Sequence, residues 1–122
     1  MRQQRGSVFL VLAALLIGAP SALAHALLRR ASPAAGSTIR SAPAEIALRF
    51  TESIEPDVST VQVTGPGGDR FDDGPSRVDG KEPTVLRTTL KKLPPGTYKV
   101  VWRVLSIDTH VTTGTFTFSV AP

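Results

Sequence analysis

Residues 97–105 read TYKVVWRVL, and residues 115–120 read TFTFSV. In the first stretch Tyr98, Val100, Trp102 and Val104 recur at every second position, with Lys99 and Arg103 between them. In the second, Phe116, Phe118 and Val120 share one parity, with threonine or serine on the other. Period-two alternation of large apolar and polar side chains describes a strand with one face buried and one in water. Working outward, residues 45–50 place Ile46, Leu48 and Phe50 on one face. Residues 58–64 are β-branched and end at Gly65-Pro66-Gly67-Gly68-Asp69, a strong turn signal. Residues 84–90 form another candidate strand, bounded by Pro83 and by Pro94-Pro95-Gly96. A first strand is expected near residues 26–31, and residues 71–82, rich in Asp, Gly and Pro, read as loop with a short edge strand. Six or seven short strands between regular turns predict an all-β fold, an antiparallel immunoglobulin-like β-sandwich of Greek-key type. Tyr98, Trp102, Phe116 and Phe118 read as its core. The glycine-rich residues 65–68 read as a hairpin turn rather than an anion-binding loop, since no helix follows them.

The start of the chain reads differently. Arg2 and Arg5 precede an apolar run over residues 8–17, and the segment closes with Ala22-Leu23-Ala24. A charged start, a short apolar core and a small-x-small ending make a secretory signal peptide over residues 1–24, cut after Ala24. The run falls short of the ~20 residues that a membrane-spanning helix needs. Removal of 24 of the 122 residues leaves 98, residues 25–122, the size of one small domain. The expected setting is the periplasm or another extracytoplasmic compartment.

Composition narrows the chemistry. There is no cysteine, which removes disulfides, thiolate metal sites and cysteine nucleophiles. Loss of Arg2 and Arg5 takes 14 basic side chains to 12 against 10 acidic ones, a formal charge of +2. The charges are interspersed, without a basic stripe carrying interleaved aromatics, so a nucleic-acid partner is not expected. Nothing in the pattern indicates an oligomer, and a monomer is expected.

Cleavage after Ala24 turns His25 into a first residue whose α-amine and imidazole can close a chelate ring on a metal ion. In the uncleaved chain that nitrogen is a peptide amide and lacks this chemistry. The only other histidine is His110, two residues from Asp108. In an extended segment that spacing sends both side chains to one face, about 7 Å apart at the backbone. Three nitrogens and one carboxylate oxygen would complete an equatorial set for one copper(II) ion. The only methionine, Met1, leaves with the signal, so no copper(I) thioether site is expected. Glu52 continues the parity of Ile46, Leu48 and Phe50. It is a candidate to orient a ligand from behind, against the plainer reading of a solvated strand-end carboxylate. Spacing alone does not bring His25 to Asp108 and His110.

These residues resemble the CopC family of periplasmic copper-resistance proteins. The resemblance runs through HALLRRASPAAGSTIRSAP, IALRFTESIEP and LPPGTYKVVWRVLSIDTHVTTGTFTFSV, leaving residues 58–90 without strong signatures. It implies a β-sandwich that binds copper(II) through His25, Asp108 and His110, with Glu52 matching a family glutamate. It also implies a role in copper sequestration or carriage, with possible delivery to a CopD-type inner-membrane partner. Three departures stand out. Thr109 occupies a position where the family usually has glycine, Val111 one where proline is frequent, and Ser53 replaces a common proline. If that glycine takes a positive φ, threonine adopts it poorly and a different loop is expected. Two rival readings remain open: an oxidative copper enzyme built on an N-terminal histidine brace, and a structural immunoglobulin-like module without metal. Asp108 in the fourth equatorial position argues against the first, and a non-enzymatic protein is expected.

Overall fold

The computed structural model describes residues 26–122. The signal segment and His25 therefore lie outside the described residues. Eight strands follow in order: β1 (Leu28–Ser32), β2 (Thr38–Ile39), β3 (Glu45–Phe50), β4 (Thr60–Thr64), β5 (Asp72–Val78), β6 (Val85–Leu90), β7 (Gly96–Leu105) and β8 (Val111–Val120). They form two four-stranded sheets, ordered β1-β3-β6-β5 and β2-β8-β7-β4. Pairing is antiparallel except for the short β2, which runs parallel to the end of β8. The expected β-sandwich is present.

Alternation decides what lies between the sheets. Ile46, Leu48 and Phe50 from β3 meet Tyr98, Val100, Trp102 and Val104 from β7, all buried. Phe50 and Trp102 pack edge to face with ring centroids 5.1 Å apart, and Tyr98 stacks on Phe118 at 5.6 Å. Such pairs add roughly 0.5–1.5 kcal/mol beyond the area they bury. The Tyr98 hydroxyl donates to the Pro94 carbonyl, fixing the corner where the chain enters β7. Gly114 lies opposite Trp102 in the register. A Cβ there would stand 2.2 Å from the indole, so only glycine leaves room for the ring where it lies.

Two expectations at the sheet margins need correction. The edge strand expected within residues 71–82 is present as β5, but at seven residues it is longer than the short one expected. Its Gly and Pro are absorbed by a register shift between Asp73 and Arg77 and by Gly74 at φ 80°. A bulged edge strand tolerates both residues, which is why composition alone disguised it. The strand expected over 58–64 begins at Thr60, because Pro56–Val58 form a 3₁₀ turn that leaves Val58 exposed. The glycine-rich turn is as expected, closed by Gly68 N–H to Gly65 O at 3.0 Å and Gly65 N–H to Asp69 O at 2.9 Å.

Candidate metal-binding loop

β7 and β8 pair without interruption from Gly96–Val120 to Leu105–Val111, so the loop joining them is held rigidly at one end of the sandwich. Ser106 N–H donates to His110 O at 3.0 Å, and Thr109 N–H donates to Ser106 O at 2.9 Å. Thr109 has φ 71°. This is the pattern of a three-residue hairpin loop whose last residue is left-handed. The conformation ordinarily falls to glycine, because a Cβ crowds the following carbonyl. Threonine takes it here, inside a loop closed by the Ser106–His110 bond and the Leu105–Val111 pairing.

Asp108 and His110 are therefore not in an extended segment, and the expected alternation is not what brings them together. The turn does so instead. His110 Nδ1 stands 3.4 Å from Asp108 Oδ1, with both side chains partly exposed. Ser106, buried beneath the loop, donates its hydroxyl to the same carboxylate oxygen. The Ser106 hydroxyl lies within 3.4 Å of the His110 backbone N–H. The Ser106 hydroxyl, reinforced by His110, holds the Asp108 carboxyl below the usual carboxylate range. A carboxylate ionised through the neutral range, beside an imidazole, is a ready pair of donors for a divalent cation.

The start of the described chain reaches the same end of the fold. Thr112 Oγ1 donates to Ala26 O at 2.7 Å, and Ala26 is fully buried. Leu27 exchanges two bonds with Thr51, its N–H to the Thr51 hydroxyl and its carbonyl from the Thr51 N–H, both at 2.9 Å. The residue that follows His25 is thus pinned two positions along the chain from His110. Among the described residues Asp108 and His110 form a pair of donors rather than a larger cluster. His25 lies outside the described residues. Glu52 belongs to the segment against which the loop packs, since Ile107 N–H donates to Ser53 O at 3.2 Å and Ile54 bridges to Ser106. Among the described residues no hydrogen bond or ion pair joins the Glu52 carboxylate to Asp108 or His110.

Three residues of this region were not singled out from sequence. Ser106 had a signal in the preference of serine for the first position of a turn. Thr51 and Thr112 had none, being indistinguishable from other strand threonines until the fold brings the chain start beside them. Elsewhere, a shallow cavity on the outer face of β1, β3 and β6 is lined by Arg30, Glu45, Arg49 and Arg87 and shares no residue with the loop. Its charges brace the sheet: Glu45 joins Arg77 at 2.7 Å and Arg87 at 2.8 Å, and Glu82 joins Arg49 at 3.2 Å. No helix among the described residues is long and apolar enough to cross a membrane.

Comparison with known proteins agrees with this fold. Protein YobA of Escherichia coli K12 is 39% identical over 102 residues, covering 83% of this chain and 82% of its own. Copper resistance protein C of Xanthomonas campestris pv. juglandis is 37% identical over 118 residues, covering 90% of this chain and 91% of its own. The crystal structure of CopC from Methylosinus trichosporium OB3b superposes with a TM-score of 0.75 at 31% identity, covering 80% of this chain and 95% of that one. Residues 28–121, which hold both sheets and the Asp108–His110 loop, match the CopC domain, and the chain belongs to the CopC family.

Proposed function

We propose that this chain is a secreted copper(II)-binding protein, working in the periplasm or a comparable extracytoplasmic space, that sequesters or carries the ion for copper homeostasis or resistance. The reading takes the cut after Ala24 as real, with residues 25–122 as the working domain. One copper(II) ion is held by the amine and imidazole of His25, the carboxylate of Asp108 and the imidazole of His110. These donors suit the tetragonal preference of copper(II). No part of the reading requires a catalysed reaction. The copper is cargo, and a CopD-type inner-membrane protein is its proposed recipient. Glu52, on the neighbouring segment, is the proposed residue that orients a metal ligand from behind.

The observation that carries the reading is the bond from Thr112 Oγ1 to Ala26 O. It ties the residue next to His25 to the strand that begins directly after His110. A loop of fixed shape on one side and a pinned chain start on the other favour a site drawn from both ends of the sequence.

A copper(II) competition titration on residues 25–122 tests it, with His110→Ala and a form extended by one glycine ahead of His25. One tight equivalent, weakened at least about tenfold in both altered proteins, is the expected result. Equal binding by the parent and His110→Ala would reduce the site to an N-terminal chelate. Equal binding by the extended form would remove the α-amine from the donor set.

A further inference from the structure

The two sheets present four strand edges, and three of them are blunted. β1 carries Arg29 and Arg30 and a register shift between Leu28 and Arg30. β5 carries Pro75 and its own bulge. On β4 the outward N–H groups are already taken: Val61 donates to Ser76 Oγ at 3.1 Å and Val63 to Asp72 Oδ1 at 2.9 Å, while Val63 O accepts from Phe71 N–H. Charge, proline, bulges and side-chain caps are the usual means of keeping an edge from pairing with another chain.

β8 has none of them. Its partner β2 covers only Ser119 and Val120, with Gly36 N–H donating to Thr117 O just before it. Those bonds, and that of Ser119 N–H to Ser37 O, show that the odd-numbered residues of β8 direct their backbone groups away from β7. The N–H and C=O groups of Val111, Thr113 and Thr115 accordingly line an open edge, and no described residue bonds to them. Residues 111–118, VTTGTFTF, contain no charge, no proline and no bulge. The open stretch is bounded by the loop at one end and by Gly36 at the other, and its middle residue is Thr113.

We propose that this edge pairs with the same edge of a second copy, antiparallel about a two-fold axis at Thr113, joining the two β2-β8-β7-β4 sheets. Thr113 then faces Thr113 of the partner copy, and Val111 faces its Thr115. Each of these residues gives one N–H and accepts at one C=O, so the register consumes the free groups of Val111, Thr113 and Thr115. What points to a second copy is that the open groups of Val111, Thr113 and Thr115 are self-complementary about Thr113, and the uncharged stretch meets itself without like-charge repulsion. The register places the two His110 residues six positions apart along the joined strands, about 20 Å. The dimer therefore neither bridges nor covers the metal-binding loops, and the proposal stands independently of copper. A contact this small makes a weak dimer, with a dissociation constant on the order of 0.1 mM.

Sedimentation equilibrium on copper-free residues 25–122, from about 0.02 to 1 mM, reads the association directly. Thr113→Lys sets two ammonium groups face to face and weakens it by about tenfold or more. Thr113→Glu does the same, and an equimolar mixture of the two variants restores association. Thr60→Lys, on the exposed face of the capped edge, leaves the parental constant unchanged. Far-UV circular dichroism confirms that each variant keeps its sheet. A parent that stays monomeric at 1 mM, a Thr113→Lys protein that associates like the parent, or a mixture that fails to associate would each overturn the proposal.

Discussion

Thr109→Gly should stabilise this protein, against the usual direction for a change to glycine. Thr109 sits at φ 71°, where an L-residue with a Cβ costs roughly 1–2 kcal/mol. Its side chain is exposed and makes no hydrogen bond among the described residues, so its removal forfeits little. The backbone bond from Thr109 N–H to Ser106 O survives in glycine. Against the relief stands the greater freedom of glycine in the unfolded chain, roughly 0.5–1 kcal/mol. The net gain is about 0.5–1 kcal/mol, or about 4 °C in Tm for a domain of this size. Thr109→Ala is the control, because alanine keeps the Cβ and most of the strain and should sit close to the parent. Calorimetry and urea unfolding of copper-free residues 25–122 would measure all three proteins. A glycine variant no more stable than the alanine one would show that the left-handed residue is not strained, and the account of the loop would fail. The turn bonds are backbone bonds, so the glycine variant should also hold copper(II) within about threefold of the parent; a larger change would mean that the side chain itself shapes the site.

Gly114→Ala should cost about 3 kcal/mol, because its Cβ would stand 2.2 Å from the Trp102 ring, and urea unfolding followed by tryptophan fluorescence would show it. Asp72 accepts from Arg70 and from the Val63 N–H, and these bonds, the arginine's foremost, hold its carboxyl below the ordinary value. That stabilisation is present above the unfolded value near ~3.9 and is lost as pH falls through the folded one. Asp72→Asn should therefore be about 1–2 kcal/mol less stable at pH 7, with the gap closing in acid, as a pH series of thermal melts would read. Ser106→Ala should keep the fold but loosen the Asp108 carboxylate, lowering copper(II) affinity by about tenfold in the competition titration. The affinity of the parent should fall as the solution is acidified, since protons compete with copper(II) for nitrogen donors; a flat profile would exclude those donors.

The strand pattern was legible in the sequence because burial of one face imposes a period of two, and residues 45–50 and 97–105 keep that period without exception. The same rule located the core, since Tyr98, Val100, Trp102 and Val104 had no other side to turn to. Sequence also singled out Asp108 and His110, because so few residues of a cysteine-free chain with two histidines can bind a soft or borderline ion. It underestimated the length of β5, where a bulge lets Gly74 and Pro75 sit in a strand, and it misjudged how Asp108 meets His110. Side-chain alternation holds only in extended backbone, and a left-handed residue between the two replaces it. What tertiary structure alone decided is proximity over long separations. Ala26 and Thr112 are 86 residues apart and share a hydrogen bond, and Ser106 serves Asp108 from beneath because Ile54 holds the strand end. No local pattern records such contacts, because they come from how two sheets stack. The open edge of β8 is of the same kind: its residues look like any strand, and only the register shows that β2 covers just Ser119 and Val120, with no described strand beside Val111, Thr113 and Thr115.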